Sequence, residues 1–302
     1  MSLQFIFDRN LSPLLPRVAD FLHASLSTTE DVRRLMEQEQ FLHSLWSGGP
    51  LPSVLDASMM RHVLDIGCGA GTWLQSMASF YPSLYLSGID RDEAAIEAAR
   101  VLNAFNSRVR LQVRNLACGE IGNYVVAGYD LVHVRFMAGE MTPRQYATLL
   151  REAVCSCRPG GQVMVCELEL PLSDSNALTH LMRLWQLVLE HEKRAFTSQI
   201  PNQLGIVPWV QQTLRSANCH PVHEEMFYAQ CAYGGEGYLH FCRSLEQMMQ
   251  RLRPLLLRSG SISMAELEGL ECEVRREVAS PKFYGLCPVH VLIWQRGPVQ
   301  VH

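Results

Sequence analysis

Apolar positions change their period along this chain, and each change marks an element. Val32, Leu35, Phe41, Leu42 and Leu45 recur at roughly helical spacing. The capping-box pattern Ser27-Thr28-Thr29-Glu30 opens that stretch, and Gly48-Gly49 with Pro50 and Pro52 closes it. From residue 61 the rhythm becomes strand, turn, helix. His62 to Ile66 reads as a strand, Gly67 to Gly71 as a turn, and Thr72 to Phe80 as a helix closed by Pro82. Leu84 to Ile89 is a second strand ending at Asp90, and Asp92 to Phe105 an alanine-rich helix. Val109 to Val113 and Tyr129 to Arg135 are strands three and four. Thr142-Pro143-Arg144-Gln145 joins a capping box to a proline at the first helical position. Its helix carries Tyr146, Leu149, Leu150 and Val154 on one face, and Pro159-Gly160-Gly161 breaks it before a fifth strand, Gln162 to Leu168.

Beyond residue 170 two amphipathic helices are predicted, Ala177 to Ala195 and Val207 to Ala217. Val222 to Tyr228 and Val289 to Gln295 read as strands six and seven. A helical insertion separates them, too long for an ordinary connection. It holds Gly237 to Leu257 and a helix opened by Ser263-Met264-Ala265-Glu266. Alternating strands and helices imply an α/β fold, a largely parallel sheet covered on both faces. The expected layout is an N-terminal helical cap (1–60), a nucleotide-binding domain (61–228), a helical lid (229–286) and a final strand returning to that domain (287–302).

Composition removes several function classes. The net charge of −4 and the absence of any Lys/Arg run give no basic face for nucleic acid. No uncharged apolar stretch approaches the ~20 residues of a membrane span. The start, Met1-Ser2-Leu3-Gln4-Phe5, lacks a basic n-region and a long apolar run, so a cytoplasmic location is expected. Ten cysteines raise disulfides and zinc, but no second close pair joins Cys155 and Cys157 in a four-ligand set. The remainder, such as Cys68, Cys166, Cys231 and Cys242, read as small buried hydrophobes, and no metal is expected.

The chemistry concentrates in Val63-Leu64-Asp65-Ile66-Gly67-Cys68-Gly69-Ala70-Gly71. Glycines let backbone approach a ligand closely, and the following helix presents its N–H groups and dipole. The G-x-G-x-G spacing differs from the dinucleotide fingerprint. Asp65 inside the strand suits a ligand bearing an ammonium and a sulfonium rather than a pyrophosphate. S-adenosylmethionine (SAM) is such a ligand. Asp90, at the tip of strand two, suits a ribose diol. Arg91 beside it, Asn115 and Leu116 after strand three, and His133 and Arg135 at the end of strand four extend this cofactor-binding set.

Val63 to Gly71 resembles motif I of class I SAM-dependent methyltransferases. Tyr129 to Gly139, and Leu149-Leu150-Arg151-Glu152-Ala153 leading to Arg158-Pro159-Gly160-Gly161, resemble the trans-aconitate-methyltransferase-like group, which includes fungal secondary-metabolism regulator methyltransferases. The resemblance implies a Rossmann-like seven-stranded, mostly parallel sheet with its last strand antiparallel. It implies Asp65, Gly67, Gly69, Gly71 and Asp90 as SAM ligands, and Cys68 also occurs in this class. Arg114-Asn115 departs from the acid often found after strand three.

Transfer to a hydroxyl or carbon acid needs a base, for which His133, Glu140, Glu167 and His191 are candidates. A small-molecule substrate is expected between the N-terminal helices, the Trp185 helix and the insertion, with Tyr228 and Tyr284 as further candidates. The same helices would equally serve a homodimer interface. Two alternatives stay open: a SAM-binding cyclase that transfers no methyl group, and a regulatory interaction protein with a vestigial site.

Overall fold

The structure is a computed structural model, and it describes residues 29–46, 48–115, 128–197 and 203–298. The capping box at Ser27 and the cofactor candidate Leu116 lie outside the described residues. The chain runs α1 (Thr29–Leu45), β1 (His62–Ile66), α2 (Thr72–Phe80), β2 (Tyr85–Asp90), α3 (Glu93–Leu102), β3 (Val109–Val113), β4 (Tyr129–Arg135), α4 (Pro143–Ser156), β5 (Cys157–Leu168) and β6 (Leu172–Ser173). It continues through α5 (Asn176–His191), α6 (Ile206–Ser216), β7 (Cys219–Gln230), α7 (Tyr238–Ser259), α8 (Met264–Val278) and β8 (Gly285–Arg296).

The sheet order is β3-β2-β1-β4-β5-β8-β7. Neighbours from β3 to β5 pair in parallel, and β8 runs antiparallel to both β5 and β7. This is the mixed α/β architecture expected. One strand was not foreseen: β6, two residues that pair with Leu286 and Gly285 along the edge of β8 beyond β5. Such a short bridge leaves no periodic trace in sequence.

Strand alternation sorts the core into two layers. Leu64, Ile66, Val132, Val134, Val163 and Val165 pack with Tyr146, Leu149 and Leu150 of α4. Val63, Leu131, Met164, Val291 and Ile293 pack with Trp73, Leu74 and Met77 of α2. By the same alternation Asp65 and His133 fall on the α2 side, and both are buried.

Local chemistry explains the boundaries. Thr142 and Gln145 cap α4 reciprocally with Pro143 in the first turn, and Ser263 with Glu266 does the same for α8. Three boundaries differ from the sequence reading. The helix α4 ends at Ser156, and Pro159-Gly160-Gly161 lies inside β5. Partners jump there from Tyr129↔Cys157 to Leu131↔Gln162, so the extra residues form an irregular bulge. A Cβ on Gly161 would stand 2.7 Å from the Tyr129 carbonyl oxygen, which keeps that position a glycine. The strands β7 and β8 each reach 12 residues because they pair as a ribbon from Cys219↔Arg296 to Gln230↔Leu286. Pairing extends them through Pro221 and Pro288, where sequence signals a break. The helix expected over Ala177 to Ala195 is α5, which stops at His191. Among the described residues no helix is long and apolar enough to cross a membrane.

Candidate functional site

The turn after β1 is built from three left-handed glycines, Gly67 (φ 76°), Gly69 (φ 52°) and Gly71 (φ 71°). Space enforces two of them. A Cβ at Gly67 would lie 2.4 Å from Met137 Sδ, and one at Gly71 would lie 2.9 Å from Asn103 Nδ2. The N–H groups of Gly67 and Cys68 donate to the Ile89 carbonyl at 2.8 and 3.0 Å, tying the turn to the tip of β2. Gly69 N–H donates to Asp90 Oδ2 at 2.8 Å, and Asp92 N–H to Asp90 Oδ1 at 2.9 Å. Burial nevertheless raises the Asp90 carboxyl above its ordinary value. Burial, with the charges of Asp65 and Asp90, pushes the Cys68 thiol well up.

One layer behind the turn, His133 Nδ1 meets Asp65 Oδ1 at 2.9 Å, and the His133 ring stacks on Trp73 with centroids 4.0 Å apart. Burial holds His133 below its usual value despite Asp65, so the ring is neutral and Nδ1–H donates to the carboxylate.

At the tip of β4, Arg135 Nη2 donates to Glu39 Oε2 of α1 at 2.6 Å, and Glu39 Oε1 meets His43 Nε2 at 2.9 Å. Burial alone would raise the Glu39 carboxyl. Arg135 and His43 overcome it and hold the group at about 2. Glu140 Oε2 lies 3.8 Å from Arg194 Nη2 and 3.9 Å from Arg91 Nη2. Burial raises its carboxyl, opposed by Arg194, Arg251 and Arg91. Glu167 accepts from Tyr146 Oη at 2.7 Å, Met137 N at 3.0 Å and Ala138 N at 3.1 Å. Burial raises it to about 7.

Some of these groups border a cavity of about 510 Å³, whereas Glu39, His43, Tyr146 and Glu167 lie behind its wall. Of the cofactor and catalytic candidates, Gly67, Cys68, Gly69, Asp90, Arg91, Arg135 and Glu140 line it, joined by Trp185 of α5. Asp65, His133, Gly71 and Asn115 do not. Asp65 and His133 are sealed behind the turn, Gly71 packs on α3, and Asn115 is exposed.

Three further candidates point elsewhere. Trp185, Val188 and Leu189 form the cavity face of α5, with Glu192 just past its end; this turns His191 outward to lie 3.6 Å from Glu192. On β7, Phe227 packs on the core and Tyr228 alternates outward. Tyr284 is half exposed, anchored by its N–H to Asp174 Oδ1 at 3.0 Å.

Sequence reasoning expected the N-terminal helices and the insertion around the pocket but named no site residue on α1 or on the polar side of α7. Gln38 and Phe41, and His240, Ser244, Gln247 and Arg251, all line the cavity. A signal existed in α1: Glu39 stands on the apolar stripe Leu35, Leu42, Trp46, and an acid on such a stripe requires a partner.

Several known proteins are similar to this chain in sequence or in fold. Residues 63–161 match the methyltransferase-domain family. A secondary metabolism regulator, laeA of Coprinopsis cinerea, is 25% identical over 235 residues, 72% of this chain and 54% of that protein. The ubiquinone biosynthesis O-methyltransferase of Aeromonas salmonicida is 33% identical over 105 residues, 35% of this chain and 42% of that enzyme. The chain thus spans about half the length of these curated relatives. The probable methyltransferase tdiE of Emericella nidulans is 23% identical over 285 residues, 88% of this chain and 82% of the relative. In fold, the chain is similar to an O-methyltransferase family protein from Burkholderia thailandensis (TM-score 0.51, 16% identity, 93% of this chain and 63% of the other).

Proposed function

We propose that this chain binds SAM and transfers its methyl group to a small, largely apolar molecule. One observation carries the reading. A single cavity has the glycine turn and Asp90 at one end and apolar walls from α1, α5 and α7 at the other.

The residues present fit the cofactor. Gly67 and Gly69 offer backbone without a Cβ, and Asp90 offers a carboxylate for the ribose diol. Arg135 has a buried Nη1 without a hydrogen-bond partner, a donor suited to the carboxylate of the amino-acid end. Asp65 acts from behind, by fixing His133 beneath the turn. When bound, SAM supplies a methyl carbon on a positively charged sulfur. The chain's part is to position the two molecules and exclude water, because charge is dispersed rather than created.

The kinship with laeA and tdiE supports a place in secondary metabolism, and the narrower kinship with the trans-aconitate-methyltransferase-like group belongs to this proposal. So do the division into a cap (1–60), a cofactor domain and a lid (229–286), and a cytoplasmic location.

Calorimetric titration with SAM tests the reading. Asp90→Ala is expected to weaken binding about tenfold or more, the worth of a charged hydrogen bond. Gly69→Val is expected nearly to abolish it. Unchanged affinity in both variants overturns the proposed site.

A further inference from the structure

One face of α7 carries four polar residues at 240, 244, 247 and 251, at helical spacing, and all four line the cavity. The walls around their N-terminal end include the apolar Phe41, Leu42, Phe241 and Val289, with Arg34 and Gln38 of α1 beside them. Polar groups in register on a roof over apolar walls fit a ligand that is apolar in bulk and oxygenated along one edge.

His240 is the titratable group at that end. Its ring lies 5.9 Å from the Phe41 ring. Nε2 stands 3.4 Å from Ser244 Oγ, a distance long enough for a ligand hydroxyl to compete, and Nδ1 has no hydrogen-bond partner. Arg34 and Glu37 of α1 and Arg243 of α7 are the charged groups acting on it. Burial, then Arg34, lowers its proton affinity, so the ring is neutral near pH ~7 and able to take a proton. Of the bases expected from sequence, Glu140 lines the cavity. It is held by Arg91 and Arg194 beside Asp90, at the cofactor end, where its charge is already shared.

We propose that His240 is the general base of this site and that the methyl-receiving group is a hydroxyl, phenolic or enolic, on an otherwise apolar small molecule. This rests on the methyltransferase reading. Bound SAM supplies the methyl carbon: a lone pair of the ligand oxygen forms the new C–O bond, and the C–S pair stays on sulfur as a neutral thioether. The hydroxyl proton passes to Nε2 of His240, and the imidazolium later returns it to solvent.

The test needs no cofactor. The probes are 2-naphthol and its methyl ether, 2-methoxynaphthalene, titrated into the full chain. Wild type is expected to bind 2-naphthol about tenfold more tightly than the ether, one hydrogen bond's worth. Bound 2-naphthol, an acid when excited, should emit largely as naphtholate. His240→Phe should abolish the preference. His240→Gln, which keeps a hydrogen-bonding group but takes no proton, should retain it and lose the naphtholate emission several-fold. Failure of both probes to bind wild type, equal binding of the two, or naphtholate emission unchanged in His240→Gln overturns the proposal. Titration of S-adenosylhomocysteine into the same variants reads the cofactor site separately. Loss of that binding in wild type sinks the methyltransferase reading; its retention with failed naphthol results sinks only the role of His240.

Discussion

Glu167 shows how one buried side chain both builds the site and sets its pH response. Its carboxylate receives three donors, two of them from the backbone that follows β4. That backbone places Met137 against Gly67. Burial outweighs these bonds and raises the carboxyl from 4.5 to about 7. A carboxyl raised in the folded state binds its proton more tightly there than in the unfolded chain. Its contribution is therefore complete below pH 4.5 and is lost as pH rises through about 7. The loss is on the order of 3 kcal/mol, at ~1.4 kcal/mol for each tenfold change in proton affinity. Urea denaturation at pH ~5 and pH ~8 should show wild type losing stability across that interval. Glu167→Gln, which still accepts the same donors, should show a much flatter profile. An equal drop in the variant would assign the effect to another group. Gly67→Ala is expected to destabilise by more than ~1 kcal/mol and to lower SAM affinity. Its Cβ meets Met137 Sδ at 2.4 Å in a left-handed backbone. Thermal melts and calorimetry on the same preparation check both parts.

At the scale of elements, α1 is held to the sheet by charge as well as by packing. Leu42 and Trp46 are buried against the α2 layer, while Glu39 reaches Arg135 at the tip of β4. Removing one partner strands the other charge, and breaking a buried pair costs ~3–5 kcal/mol. Glu39→Ala should approach that loss in urea denaturation. The double variant Glu39→Leu with Arg135→Met should recover most of it, because no unpaired charge remains. If the double variant is as unstable as the single, the stranded Arg135 is not the cause. Acid should act in the same direction. The Glu39 carboxyl is held at about 2, so its contribution is present above pH 4.5 and disappears as pH falls toward 2. The pair links α1 to the strand end that borders the cavity, so the position of α1 and that end of the cavity are mechanically joined.

Across the whole molecule, the cavity is bordered by elements far apart in sequence: the β1 and β2 tips, α1, α5, α7 and the β7–β8 ribbon. A ligand held there bridges them. Amide hydrogen exchange with S-adenosylhomocysteine is expected to slow in α1 and α7 as well as at residues 67–71 and 90–92. Protection confined to those two turns would separate the cap and roof from the cofactor.

What could be read in advance follows the range of the forces involved. The strand-turn-helix order, the two capping boxes, the glycine turn and Asp90 depend on neighbours within a few residues, and periodicity and spacing exposed them. The long irregular β5, the 12-residue ribbon and β6 depend on register with distant strands, which no local window contains. Side-chain direction divides in the same way. Trp185 lines the cavity, whereas Tyr228 and His191 point away from it. By itself, then, the sequence determined the α/β class and the glycine turn, because left-handed glycines and amphipathic periods are local properties. Tertiary structure alone decided that Glu39 pairs with Arg135, that Asp65 is spent on His133, and that His240 roofs the chamber. Each of those depends on which faces meet when long-range burial and strand pairing close the sheet.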